Sequence, residues 1–356
     1  MARGLYHILF LGENWFGSCA RACCYALRRL NHEVADVDVQ TFIPTGDTFV
    51  ARGLHRLVYP IYVSAYNRAV LKLAYSIRPD MLIAYKAPHI TARTLQKLRM
   101  SGVRLYNFYP DTSVFTHGSL LPKALVEYDC VFYTKPFVDE DIRRRLKIRA
   151  SCFVPHGYDP EVHRRYDLTC NEATRYGADV VVLATHTHHK QLILEELVRS
   201  GALAGRSFKI WGNQWHTHGK SAVLEPYVQG VALNGAAYSK AIQASKVNVA
   251  LTSGVVAGAS QGDNTTTRTY EIPACGGFML HERSDELTKL FKEGIEVACY
   301  QGTTELVSKV KHYLDRKSER AVIADAAYRR AVPRYSYDER MQLLLDWHAA
   351  NGADGK

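Results

Sequence analysis

The run Gln261-Gly262-Asp263-Asn264-Thr265-Thr266-Thr267-Arg268-Thr269-Tyr270-Glu271 is the strongest candidate for chemistry in this sequence. A hydroxyl-rich loop leads into a short helix, Gly276-Gly277 ends that helix, and an apolar strand follows. Backbone N–H groups at a helix start suit a diphosphate. Asn264, Thr265 and Thr266 add amide and hydroxyl donors, and Arg268 can offset phosphate charge bidentately. Glu271, one turn into the helix, can accept two ribose hydroxyl protons. A plainly structural alternative stays open: a capped helix in which Arg268 and Glu271 form an i,i+3 pair.

Other loops carry weaker candidates. Gly12-Glu13-Asn14-Trp15-Phe16-Gly17-Ser18 follows the first strand but does not match G-x-G-x-x-G, so no dinucleotide fingerprint is supported. Gly12, Asn14 and Gly17 offer either a backbone surface that admits substrate or phosphate, or an ordinary strand-to-helix turn. Asp111, in Tyr109-Pro110-Asp111-Thr112-Ser113, also follows a strand. It is a candidate general base or hydroxyl binder, or an N-cap or Asx turn. His186, His188 and His189 cluster, with His216 and His218 in a second loop. They lack the i,i+4 spacing and the Cys or carboxylate company of a metal site, so loop histidines near a phosphate fit better and no metal is expected.

The elements that position these loops read as two tandem Rossmann-like α/β halves. Strands are expected over 7–11, 34–39, 81–84, 102–108, 129–133 and 150–154, then over 179–184, 207–211, 246–251 and 277–280. Helices are expected over 19–30, 190–200, 304–313, 318–332 and 337–350. The linker falls near Val154-Pro155-His156-Gly157-Tyr158-Asp159-Pro160. That gives an N-terminal domain over 1–158, a C-terminal domain over 159–335 and a last helix in 336–356 that returns to the first domain. Ligands of such sheets sit beyond the C-terminal strand ends. Leu54 to Tyr75 reads as a core helix broken near Pro60, with contact to a membrane or lipid-linked acceptor as the alternative. Arg143, Arg144, Arg145, Lys147 and Arg149 read as a solvated face.

Composition sets the outer bounds. At ~150 residues per domain, 356 residues fit two domains. A hydrophobic share of 47% with 22% charged residues excludes a disordered chain. No apolar run approaches the ~20 residues of a spanning helix, and the apolar stretch near the N-terminus is too short for a signal core. None of the eight cysteines is spaced C-x-x-C, which reads as reduced core thiols of a cytoplasmic protein. A net charge of +10 favours polyanionic partners without choosing among them.

The stretch Thr266-Thr267-Arg268-Thr269-Tyr270-Glu271-Ile272-Pro273-Ala274-Cys275-Gly276-Gly277-Phe278-Met279-Leu280 resembles the signature of GT-B glycosyltransferases of the CgeB (spore-maturation) type. Asp285-Glu286-Leu287, Leu290-Phe291, Gly294-Ile295-Glu296 and Tyr335-Ser336-Tyr337 continue the likeness, and His156-Gly157-Tyr158-Asp159 extends it more weakly. The resemblance implies two Rossmann-like domains facing a cleft. The second would bind a nucleotide-diphospho-sugar donor, and the first an unidentified acceptor: a glycan, a lipid-linked molecule or a small molecule. Glu271 then maps to the second glutamate of E-x7-E, the ribose binder. Asp263 stands where the first glutamate would be and would position the sugar. Phosphate contacts map to Asn264, Thr265 and Thr266, with Lys190 as a basic helper. Asn213 and Tyr238 would lie near the base. The expected reaction is metal-independent, needs no cofactor and favours retention; Asp111 would serve as base if it inverts. Peripheral membrane contact is allowed and nucleic acid is not expected. The rivals are a sugar-nucleotide epimerase of the same fold and a non-catalytic protein that binds nucleotide-sugar or nucleic acid.

Overall fold

The computed structural model describes residues 4–43, 49–218 and 220–351. Two units divide the chain. The first holds residues up to Pro155, Val255–Gln261 and the segment from Tyr337 onward; the second holds His156–Gly254 and Gly262–Ser336.

Short runs of branched and aromatic residues form the inner parallel strands of the first unit, which are buried on both faces, while the edge strands β2 and β6 are more polar or exposed. In chain order the elements are β1 (His7–Gly12), α1 (Cys19–Arg29), β2 (Glu33–Asp38), α2 (Phe49–Ile77), β3 (Met81–Tyr85), α3 (Ala92–Met100), β4 (Arg104–Tyr109), α4 (Leu120–Leu125), β5 (Cys130–Tyr133), α5 (Val138–Arg143) and β6 (Ser151–Phe153). They make one sheet in the order β2-β1-β3-β4-β5-β6. Helix α2 runs through Pro60 instead of breaking there. Pro60 itself is exposed. Further along α2, Tyr66, Val70 and Ala74 are core residues, while Ile61 and Tyr75 are exposed. Helix α13 (Tyr337–Asn351) belongs to this unit. Its Tyr337, Met341, Leu344 and Leu345 pack with Cys23 and Leu27 of α1, and Arg29 pairs with Asp338 at 2.5 Å.

The second unit repeats the pattern. It contains α6 (Cys170–Tyr176), β7 (Val180–Leu183), α7 (His188–Arg199), β8 (Phe208–Trp211), α8 (Ala236–Ala244), β9 (Val247–Ala250), α9 (Arg268–Ala274), β10 (Met279–Glu282), α10 (Asp285–Leu290), β11 (Ala298–Tyr300), α11 (Gly302–Leu314) and α12 (Lys317–Ala331). All pairings are parallel, in the order β11-β10-β9-β7-β8. Two glycines are required by space and conformation. Gly276 has φ +75° and ends α9, and the Gly277 amide returns to the Ile272 carbonyl at 3.0 Å. A Cβ on Gly277 would meet Ile242 Cγ2 at 2.4 Å, so only glycine lets α8 and β10 approach this closely.

In both units the first strand lies between the second and the third. The strand order therefore reverses between β1 and β3, and again between β7 and β9. The crevice beyond the carboxyl ends at such a reversal is where open α/β sheets bind ligands. Among the described residues, no helix is long and apolar enough to cross a membrane.

Candidate functional site

At the reversal of the second sheet, the chain leaving β7 reaches Thr187, whose hydroxyl caps α7 by accepting from the Lys190 amide at 3.3 Å. This turn brings the Lys190 side chain back across the end of the sheet. Its Nζ donates to the Thr185 carbonyl at 3.3 Å and to Ser253 Oγ, beyond β9, at 3.1 Å. Lys190 is only 3% exposed. Arg268 opens α9 and donates from Nη2 to the Leu251 carbonyl at 3.2 Å, while its Nε is buried with no partner. Among the described residues, neither cation makes an ion pair.

This lack of compensation has an electrostatic signature. The Lys190 ammonium is pushed down to about 8, first by burial and then by repulsion from Arg268; the Asp263 carboxylate partly offsets this. Two cations gathered at one strand end raise each other's cost. A dianionic ligand is the group that would relieve it.

The 262–267 loop is held against the same strand end. The Asp263 amide donates to the Ser253 carbonyl at 2.9 Å. Gly262 lies so close that an added Cβ would meet that carbonyl oxygen at 2.7 Å. The Asn264 carbonyl accepts from Ser284 Oγ at 2.5 Å. Thr265 and Thr266 are buried. One expected contact is altered: the Thr266 amide is not open to a ligand, because it donates to Thr269 Oγ1 at 3.0 Å. The Thr266 hydroxyl instead is buried without a partner. Of the two donors expected from Thr266, the amide is taken and the hydroxyl is left.

Glu271 and Arg268 do not pair with each other. Glu271 Oε2 accepts from the Tyr238 hydroxyl at 2.6 Å, and Oε1 lies 3.8 Å from His163 Nε2. His163 Nδ1 accepts from the Asp159 amide at 3.0 Å, which leaves the ring proton on Nε2, toward the carboxylate. The Glu271 charge together with burial raises the Tyr238 phenol far above its ordinary range, burial being the larger cause. Tyr238, expected near a base, is thus the hydrogen-bond partner of Glu271.

The remaining candidates are placed as follows. Asn213 is exposed after β8, and its carbonyl accepts from the His186 amide at 2.9 Å. Trp215 of the same loop is a core anchor whose Nε1 donates to the Ala184 carbonyl at 2.7 Å. In the first unit, Gly12 ends β1 where an added Cβ would meet Ala20 at 2.8 Å, a packing requirement in its own right. Asn14 Nδ2 donates to Asp36 Oδ2 at 3.0 Å, and Gly17 has φ +101°.

Asp111 acquires two partners that its sequence neighbourhood does not announce. Lys86 Nζ, just past β3, lies 2.6 Å from its Oδ2, and His117 Nε2 lies 2.9 Å from the same oxygen. Burial works the other way, but His117 and Lys86 prevail and hold this carboxyl well below the usual carboxylate range. A carboxylate this acidic accepts a proton poorly; its geometry suits it to orient Lys86 and His117. Lys86 and Ala87 both adopt positive φ, +58° and +47°, so the turn that supplies Lys86 is strained.

Two Asp-x-Asp triplets have other occupations. Asp36 accepts from Arg28 at 2.6 Å, Asp38 caps the turn over 39–41, Asp139 takes Arg143 at 3.0 Å, and Asp141 accepts from the Ser260 amide at 2.8 Å. Among the described residues, no group of three His, Cys, Asp or Glu side chains is arranged to hold a metal ion.

This architecture, two parallel α/β sheets with like strand order, is that of the GT-B glycosyltransferases. Among similar structures is sucrose-phosphate synthase from Thermosynechococcus elongatus, 12% identical, with a TM-score of 0.68 over 98% of this chain and 99% of that one. A glycosyltransferase from Rickettsia africae matches at 0.67 with 11% identity, over 99% of this chain and 100% of that one. Anabaena Alr3699/HepE, solved in complex with UDP-glucose, matches at 0.65 with 12% identity, over 97% of this chain and 100% of that one. Residues 187–346 match the model of the Glycosyl transferase-like family, an enzyme domain that takes in Lys190, Tyr238 and the whole 262–271 segment. No curated protein sequence matches the chain.

Proposed function

We propose that the chain transfers a sugar from a nucleotide-diphospho-sugar to an acceptor, as a GT-B enzyme of the CgeB type acting in the cytoplasm. One observation carries the reading: Lys190 and Arg268, at the strand reversal of the second unit, make no ion pair among the described residues, and Asp263 offsets the charge on Lys190 only in part. The donor diphosphate would supply the missing charge. Glu271, held by the Tyr238 hydroxyl, would accept from the ribose hydroxyls, and Asp263 would contact the sugar.

Breaking the sugar–phosphate bond places negative charge on the leaving diphosphate and positive charge on the sugar carbon. The Lys190 ammonium, the Arg268 guanidinium and the Thr266 hydroxyl would stabilise the leaving group as it forms. Since fixed cations can do this, transfer needs no divalent ion in this reading and should persist in a chelator. Retention follows the family resemblance. Asp111, with Lys86 and His117, would act on the acceptor side.

The test is a binding panel of UDP, GDP, ADP, CDP and dTDP, with their sugars, on wild type and Glu271→Ala. UDP comes first because the HepE structure holds UDP-glucose. One diphosphate should bind wild type and lose most of its affinity in the variant. Equal binding by both would remove the Glu271 assignment. Turnover of the donor to an altered sugar nucleotide, with no acceptor product, would favour the epimerase instead.

A further inference from the structure

A buried histidine in β10 stands behind the 264–267 turn, in a role no sequence motif announces. His281 is fully buried. Its Nδ1 lies 2.6 Å from the carbonyl oxygen of Glu282. That oxygen can only accept, so Nδ1 carries the proton. Nε2 lies 2.8 Å from Thr269 Oγ1. In the neutral ring Nε2 has no proton, so the Thr269 hydroxyl donates to it. The same hydroxyl oxygen accepts from the Thr266 amide at 3.0 Å. The path therefore runs in one direction, from the Thr266 N–H to Thr269, to His281 and to the Glu282 carbonyl. The Glu282 carboxylate in turn accepts from the hydroxyl and amide of Thr252, beyond β9.

Each link needs the next. If His281 were charged, its Nε2–H would compete for the threonine oxygen and the donor order would fail. Burial, with Arg268 nearby, pushes the imidazole down to about 4, so the ring is neutral at physiological pH. Thr269 is also fully buried, so water cannot replace a lost partner. On either side of the lock stand the two unpartnered polar atoms of this corner, Thr266 Oγ1 and Arg268 Nε.

We propose that His281 is a positioning residue: through Thr269 it fixes the Thr266 backbone, and so the angle at which the Thr266 hydroxyl and Arg268 meet a bound diphosphate. The ligand in this proposal rests on the donor reading above; the lock itself does not.

Four variants of the full chain test it. His281→Leu removes the acceptor and Thr269→Val removes the hydroxyl at nearly constant shape. Each should weaken the nucleoside diphosphate by at least about tenfold, the size of effect expected when a buried O–H (His281→Leu) or a buried N–H (Thr269→Val) loses its partner. Acceptor KM should not change. His281→Gln, whose amide oxygen falls near Nε2, and Thr269→Ser should stay within about threefold of wild type. The double variant His281→Leu/Thr269→Val should be no worse than the weaker single one. Should His281→Leu fail to fold, Thr269→Val and Thr269→Ser decide. Two readouts need no ligand: a neutral, Nδ1-protonated His281 ring by NMR, and a slowly exchanging Thr266 amide that becomes fast in Thr269→Val. Wild-type diphosphate affinity in His281→Leu and Thr269→Val would overturn the proposal, as would a Nε2-protonated ring. If no nucleotide binds wild type at all, the donor reading fails, and the amide and ring measurements still decide the lock.

Discussion

Both units gather charged side chains beyond the carboxyl ends of their sheets, and they treat the charge in opposite ways. In the first, Lys86, Asp111 and His117 neutralise one another within 3 Å. In the second, Lys190 and Arg268 gather positive charge with no ion pair among the described residues, and Asp263 only tempers the charge on Lys190. A compensated cluster is part of the fold's own stability. An uncompensated one destabilises the empty protein and becomes favourable only with an anion in place. The fold is the same in both units, so the function must be argued from this difference in charge.

The largest effect should come from the cations. Lys190→Met and Arg268→Ala should each weaken nucleoside diphosphate by about 10- to 100-fold, the range for charge-assisted contacts, and weaken the bare nucleoside much less. Without ligand, Lys190→Met should melt at the same or a higher temperature, because a buried unpaired ammonium is gone. Asp111→Ala should do the reverse. It should lose about 1 kcal/mol of stability, modest because the site is partly exposed, and leave diphosphate affinity unchanged. A lower melting temperature for Lys190→Met would break the comparison.

Next comes pH. Lys190 titrates near 8 in the free protein, and a bound diphosphate favours its charged form and raises that value. Above pH 8, binding must therefore take up a proton, and affinity should fall as pH rises, with a plateau below. The plateau should extend across this range in Lys190→Met. Calorimetry in buffers of different ionisation heat would detect the proton.

Tyr238→Phe removes one hydrogen bond to Glu271. Donor affinity should drop about fivefold, against a much larger loss for Glu271→Ala. Thr266→Val tests the smallest contribution, about threefold to tenfold on diphosphate, with the fold undisturbed because no group among the described residues bonds that hydroxyl.

Much of the frame was legible in the sequence for a simple reason. Strands such as Val180–Leu183 and Met81–Tyr85 are apolar on both faces, which marks parallel strands covered by helices on each side. The 262–271 segment stood out because hydroxyls, a cation and a carboxylate fall together there. Three-residue β11 and the short helices α8 and α10 carry too little periodicity to read. Helix α2 reads as broken near Pro60 in sequence, yet it runs through that exposed proline. The partners of Asp111 come from separate loops, 25 residues back and six ahead, so no local pattern could join them. His281 gave one faint signal, a lone histidine inside an apolar strand, and its role appears only when Thr269 is brought against it. The Thr266 amide likewise looks free in sequence, since nothing there says that a hydroxyl three residues on will take it.

The most direct measurement is a calorimetric titration of nucleoside diphosphates, UDP first, into wild type and into the double variant Lys190→Met/Arg268→Ala. The uncompensated-charge account predicts that one diphosphate binds wild type, and that the double variant keeps its fold, melts no lower and no longer binds it. Equal affinity in both proteins, or no binding of any nucleotide to wild type, would contradict it.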